Sequence, residues 1–181
     1  MPVVVGNISL SSDAEFLVGN FWYNEELKQD VYDVGTLTNS GTISLSGSYL
    51  SIHCEGSALT NEADGTITLD SSGMGVSNDG TINNAGTITL SAITNLDVGE
   101  DWVNEETGEE AHSAGAMTNS GTVTIGADGG LYIHYAGSSL TNSGTITVQV
   151  GGGFGMDEEA AFKGNEVIDE NLPEAQEDQG A

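Results

Sequence analysis

Positive charge is almost missing from this chain. It holds no arginine and two lysines, Lys28 and Lys163, against 28 acidic residues, for a net charge of −26. A surface so negative repels nucleic acid and anionic lipid, so both are poor partners, while divalent cations are drawn to it. Cysteine is nearly absent as well: Cys54 stands alone. An intramolecular disulfide and a thiolate metal site are therefore excluded. No run of about 20 apolar residues offers a membrane span, so membrane insertion is not expected. Met1-Pro-Val-Val-Val5 has no basic start, long apolar region or small-residue cleavage site, and does not read as a secretory signal.

What the chain has is a recurring phrase. It runs Gly35-Thr-Leu-Thr-Asn-Ser-Gly-Thr-Ile-Ser-Leu45, then Gly56-Ser-Ala-Leu-Thr-Asn61 leading into Gly65-Thr-Ile-Thr-Leu69. It returns from Gly80 to Leu90, from Gly115 to Ile125 and from Gly137 to Val148, with half a copy at Gly6-Asn-Ile-Ser-Leu10. The second glycines stand at 41, 65, 86, 121 and 144, giving steps of 24, 21, 35 and 23. The long step belongs to a larger unit. Gly6 and Gly86, Gly41 and Gly121, and Trp22 and Trp102 are each 80 apart, and Trp22-Tyr-Asn-Glu-Glu26 faces Trp102-Val-Asn-Glu-Glu106. Leu50-Ser-Ile-His53 matches Leu131-Tyr-Ile-His134 after one inserted residue. The chain is a tandem duplication, residues 6–85 and 86–155.

In Gly-Thr-Ile-Thr-Leu the side chains alternate, Ile and Leu to one side and the threonines to the other. β-Branched residues favour strands, and the glycine permits a sharp corner before them. Leu37, Leu59, Ile82, Met117 and Leu140 make a second inward row. Asn39, Asn61, Asn84, Asn119 and Asn142 share one corner position, where strands ~4.8 Å apart would let their amides form a ladder. A single coil cannot bury its apolar row, but stacked coils can. A helical reading fails against 26 glycines and a period of two. An antiparallel sandwich is the better rival, but it does not return one corner residue every 21 to 24 positions. The expected fold is all-β: a right-handed parallel β-solenoid (β-helix) of about six or seven coils over residues 1–155.

The Leu-Thr-Asn-Ser-Gly-Thr-Ile-Thr phrases resemble the β-helical repeats of filamentous-haemagglutinin-type and autotransporter adhesins of bacteria, over about residues 6 to 150. That resemblance implies a right-handed parallel β-helix displayed outside the cell, in a bacterium, and brings no catalytic residues.

Two acidic insertions fill the 35-residue steps and are expected to leave the same side of the stack as loops or an irregular turn. Trp22, Tyr23, Asn24, Glu25 and Glu26 in one, and Trp102, Asn104, Glu105 and Glu106 in the other, are candidate recognition or subunit-contact residues. Glu25, Glu26, Glu105, Glu106, Glu109 and Glu110 are candidate calcium ligands by charge, without any known calcium-loop spacing; a solvated acidic face is the default. No other cofactor is expected. Residues 156–181 carry nine acidic residues and few apolar ones, and read as a disordered or weakly helical tail.

Catalysis is not expected. A lyase acting on acidic sugars needs a cation, and Lys28 and Lys163 fall in a loop and the tail; a hydrolase needs two placed carboxylates, and Glu55, Asp64, Asp70 and Asp128 are scattered. His53, His134 and His112 read as exposed polar positions, and Cys54 as incidental, since Tyr135 replaces it in the second unit. Three functions follow in order. The first is an extracellular structural subunit that stacks head to tail into a surface filament, matrix or adhesin. Its partners are itself and candidate surface glycans or matrix proteins. Apolar borders at Val3-Val-Val5 and Val148-Gln-Val150 support it, since they lack an evident polar cap. The second is ice binding by an outward ladder of Thr42/Ser44, Thr66/Thr68, Thr87/Thr89, Thr122/Thr124 and Thr145/Thr147. A glycan-binding or glycan-hydrolysing β-helix is a distant third.

Overall fold

The computed structural model describes residues 3, 4, 6–26, 28–103, 108 and 110–171. Its strands come in triplets. The first is β1 (Val3–Val4), β2 (Asn7–Ser11) and β3 (Glu15–Val18). A hairpin follows, β4 (Asn20–Asn24) antiparallel to β5 (Gln29–Asp33). The next triplet is β6 (Thr36–Asn39), β7 (Thr42–Ser46) and β8 (Tyr49–Ile52). Then come β9 (Ala58–Asn61), β10 (Thr66–Asp70) and β11 (Gly73–Val76), followed by β12 (Thr81–Asn84), β13 (Thr87–Ser91) and β14 (Thr94–Val98). A second antiparallel hairpin pairs β15 (Glu100–Val103) with β16 (Glu110–Ser113). After it come β17 (Ala116–Asn119), β18 (Thr122–Ile125) and β19 (Gly129–Ile133). The last strands are β20 (Ser139–Asn142), β21 (Thr145–Val148), β22 (Gly153–Met156), β23 (Ala161–Gly164) and β24 (Ile168–Asp169).

Corresponding strands of successive triplets pair in parallel. They build three sheets: sheet A, β1-β6-β9-β12-β17-β20-β23; sheet B, β2-β7-β10-β13-β18-β21-β24; and sheet C, β3-β8-β11-β14-β19-β22. This is a parallel β-solenoid. Register is direct, so like residues stack: Ile8, Ile43, Ile67, Ile88, Val123 and Ile146 form one row of sheet B. Leu37, Leu59, Ile82, Met117 and Leu140 form the inward row of sheet A. Leu50, Met74, Leu96 and Leu131 form one of sheet C. Apart from Ile8 at the open end, which is half-buried, these residues are 3 % exposed or less, and they merge into one continuous core. Each row removes apolar surface that no coil could cover by itself, which is why the sheets exist only as a stack.

Two expectations need correction. The insertions, expected as loops or an irregular turn on one side of the stack, are antiparallel hairpins on that side. Both leave the corner between sheet C and the next strand of sheet A, after β3 and after β14, three strand steps apart or ~14 Å along the axis. Gly19 and Gly99, 80 residues apart, start them at equivalent places with φ of +83° and +90°. A side chain there would strike the carbonyl of His53 or His134. The second correction concerns the tail. Strand pairing does not stop at residue 155: β23 pairs with β20 and β24 with β21, in register. The sparse apolar residues of this segment suffice because Phe162 falls on Leu140 and packs edge-on against Phe154, centroids 5.7 Å apart. Val148, read as part of an uncapped border, is fully buried beneath Asp169. Residues 172–181 lie outside the described residues.

Candidate functional site

The side of the solenoid that carries sheet C holds a groove of about 320 Å³, lined in part by Glu15, Tyr49, Ser51, His53, Ser77, Asp97, Glu100 and His134. Its floor is set by the register. Tyr49 lies beside Glu15 on β3 and Gly73 on β11, and Asp97 on β14 lies beside Gly75. The alternation that sends Leu50 and Ile52 into the core sends Tyr49, Ser51 and His53 outward. Glycine decides what the tyrosine does next. A methyl group at Gly73 would overlap its ring, and one at Gly75 its hydroxyl, so the phenol lies flat across the neighbouring strand. Tyr132 also lies against two glycines, Gly130 on its own strand and Gly155 on the next. The Tyr49 hydroxyl pKa is pushed up to about 12, first by burial and then by the carboxylates of Asp97, Glu100 and Glu15.

The histidines occupy the corner that closes sheet C. His53 shares hydrogen bonds with the Ser51 hydroxyl at Nε2 and with the Ser77 hydroxyl at Nδ1, the latter 2.8 Å long. His134 Nε2 lies 3.2 Å from Asp97 and its Nδ1 3.8 Å from Asp157, while Asp157 also accepts from the Tyr135 amide. Both are half-buried and hydrogen-bonded, not freely exposed as the sequence alone implied. The following corner residues, Cys54 and Tyr135, each hold a left-handed backbone, with φ of 78° and 59°. Each also meets the hairpin beside it. The Cys54 thiol donates to the Asn20 carbonyl at 3.3 Å, and the Tyr135 ring stacks on His112 with centroids 3.9 Å apart. Burial and the nearby Asp33 carboxylate raise the Cys54 pKa.

The asparagine row forms a chain of hydrogen bonds inside the corner. Asn39 Nδ2 donates to Asn61 Oδ1 at 2.8 Å, Asn61 to Asn84 at 2.8 Å, Asn84 to Asn119 at 2.7 Å and Asn119 to Asn142 at 2.8 Å. Asn142 ends it by donating to the Asn165 carbonyl. All five are 2 % exposed or less. They are structural, because no solvent-borne partner reaches them. On sheet B, Thr42, Thr66, Thr87, Thr122 and Thr145 stack in one outer row, and Ser44, Thr68, Thr89, Thr124 and Thr147 in the next.

The hairpin candidates are brought to equivalent places but not together. Trp22 pairs with Val31 in the first hairpin and Trp102 with Ala111 in the second; Tyr23 and Asn24 pair with Asp30 and Gln29. Glu25 and Glu26 are exposed in the turn of the first, and Lys28 forms a 2.8 Å ion pair with Glu25. Glu110 lies on β16, whereas Asn104, Glu105, Glu106 and Glu109 lie outside the described residues. Among the described residues no group of three or more acidic, histidine or cysteine side chains is placed to hold a metal. The groove on sheet C was missed in the sequence. Its signal was the glycine alternation Gly73-Met-Gly-Val76, one coil after an outward tyrosine.

The fold and its face define the class: a parallel β-solenoid of the adhesin-repeat type. The chain belongs to the BigA fourth-domain family, whose description is BigA fourth domain and which matches residues 24–169. The match ends on the last residue of β24, so it takes in the strands beyond residue 155. The comparisons with curated proteins and with solved structures find no match.

Proposed function

We propose that this chain is a non-catalytic, surface-displayed rod module of a bacterial adhesin-like protein, extended by stacking its end coils onto further coils. One observation carries the reading. The apolar rows run to both ends of the described solenoid and are only partly covered there, by Ile8, Leu10 and Phe16 at one end and Phe154, Phe162 and Val167 at the other. Among the described residues, strands β1, β2 and β3 have no partner on one side of each sheet, and β22, β23 and β24 none on the opposite side. A further copy, or a flanking solenoid, would pair those edges and complete the rows; contact between unlike ends gives an open rod. The adhesin-like family and the near absence of cationic side chains support a surface role without catalysis. Negative-stain electron microscopy and light scattering at rising protein concentration test the stacking. Rods of uniform width that lengthen with concentration are expected. A strictly monomeric chain at all concentrations overturns self-stacking.

A second reading, ice binding, is favoured by the in-register threonine rows on the outside of sheet B. Thermal hysteresis that is lost in Thr89→Leu and Thr124→Leu would select it over the rod.

A further inference from the structure

The groove on sheet C has a chemistry that rod building does not use. The Tyr49 ring lies with one face over the glycine backbone of β11 and remains 38 % exposed, so an aromatic surface is presented outward. Carboxylates of Glu15, Asp97 and Glu100 stand around it. Three strand steps or ~14 Å along the axis, Tyr132 stands in the adjacent outward row, that of Ser51, Gly75 and Asp97, and its ring reaches back over Gly130, which continues the Tyr49 row. Two aromatic rings spaced along the axis, with hydrogen-bond acceptors around Tyr49, fit a linear ligand with alternating apolar faces and hydroxyl edges. Pyranose rings have that form: their C–H faces pack on aromatic rings and their hydroxyls donate to carboxylates. A chain of uronic or sialic acids is repelled by the three carboxylates. An amine on the sugar is attracted by them.

We propose that sheet C binds a non-acidic saccharide chain lying along the solenoid axis, stacked on Tyr49 and Tyr132 and held at its edges by Glu15, Asp97 and Glu100. The glycine pairs are then part of the site, since they let each tyrosine lie down. The proposal does not depend on end-to-end stacking, and it places recognition on the sheet and not on the tryptophan hairpins.

Titration calorimetry of the full chain tests it with four probes: a neutral N-acetylglucosamine tetramer, its de-N-acetylated counterpart, a hyaluronan tetramer and tetralysine. Saturable binding of the neutral tetramer is expected, with tighter binding of the de-N-acetylated one in low salt and none of hyaluronan. Tyr49→Ala should weaken the neutral tetramer at least tenfold, and Tyr49→Phe less than threefold. Gly75→Ala, which lifts the ring without removing it, should weaken it at least fivefold. Asp97→Asn should abolish the preference for the amine. Absence of saccharide binding, equal binding by Tyr49→Ala, or equal affinity for hyaluronan overturns the proposal. Binding of tetralysine without either non-acidic saccharide also overturns it, and assigns the groove to a cationic peptide. Rod formation is read separately by microscopy, so a chain that stacks but binds no saccharide sinks this inference alone.

Discussion

Asn84 Nδ2 donates to Asn119 Oδ1 at 2.7 Å although 35 residues separate them. The adjoining rungs, Asn61 to Asn84 and Asn119 to Asn142, are 2.8 Å long and span 23 residues each. The second hairpin thus adds 12 residues (35 less 23) without disturbing the rung it interrupts. The stack sets the geometry, and the insertion hangs from one corner of it.

Removing a middle rung should cost more than removing an end one. Asn84 both donates to Asn119 and accepts from Asn61 inside a dry corner, so Asn84→Ala leaves a buried donor and a buried acceptor without those partners. Asn39 accepts from the Gly41 amide and donates onward, so it has one ladder neighbour. Urea unfolding should show Asn84→Ala less stable by about 3 kcal/mol and Asn39→Ala by about half as much. Equal losses would mean that the rungs act independently of position.

The hairpin corner should be exchangeable for a plain one. Between Val76 and Thr81 the chain turns with Ser77-Asn-Asp-Gly80; between Val98 and Ala116 it takes Gly99 to Gly115. Ser77 and Gly99 make the same backbone bond, each amide donating to the carbonyl of the corresponding residue one coil back, Ile52 and Val76. Replacing residues 99–115 by the four-residue corner should keep the far-ultraviolet circular dichroism and stay within about 1 kcal/mol of the parent. A larger loss would show that the hairpin supports the coil.

Tyr49 gives the fold a sensitivity to alkali. Below about pH 10 the phenol keeps its proton in folded and unfolded chains alike, and its contribution to stability is complete. Between that value and about 12, where its folded-state pKa lies, the unfolded chain ionises first and stability falls as pH rises. Absorbance near 295 nm should show a fraction of the five tyrosines ionising only near pH 12 in the native chain. Tyr49→Phe should remove that late phase. Its persistence in the variant would assign it elsewhere.

Cys54 should report on the packing of its corner. The side chain is 2 % exposed, and burial with Asp33 nearby disfavours the thiolate. Reaction with a disulfide reagent at neutral pH should be about a hundredfold slower in the native chain than in urea. A native rate equal to the unfolded one would show that the first hairpin does not cover this corner.

The tandem phrase was enough to specify sheets A and B. Leu59-Thr-Asn61 and Gly65-Thr-Ile-Thr-Leu69 state inward and outward positions by local alternation, and their return at nearly constant spacing states the stacking. The asparagine row was legible for the same reason. Sheet C was not, because Gly73-Met-Gly-Val76 has the composition of a turn. Its glycines are explained only by a tyrosine lying over them from the preceding strand. The hairpins were visible as excess length, but their register, with Trp22 opposite Val31 and Trp102 opposite Ala111, is one that no repeat announces. The last strands were hidden by acidity: Phe162 and Val167 are few, and they suffice because an existing core is there to receive them.

By itself, then, the sequence determined a stack of parallel coils with an internal amide ladder and a strongly negative surface. Each of those properties follows from a short pattern that repeats. Tertiary structure alone decided the groove, which draws Glu15, Tyr49, Asp97 and His134 from four coils onto one face. Neighbours along a solenoid axis are a full coil apart in the chain, so local pattern cannot record which side chain lies across which glycine.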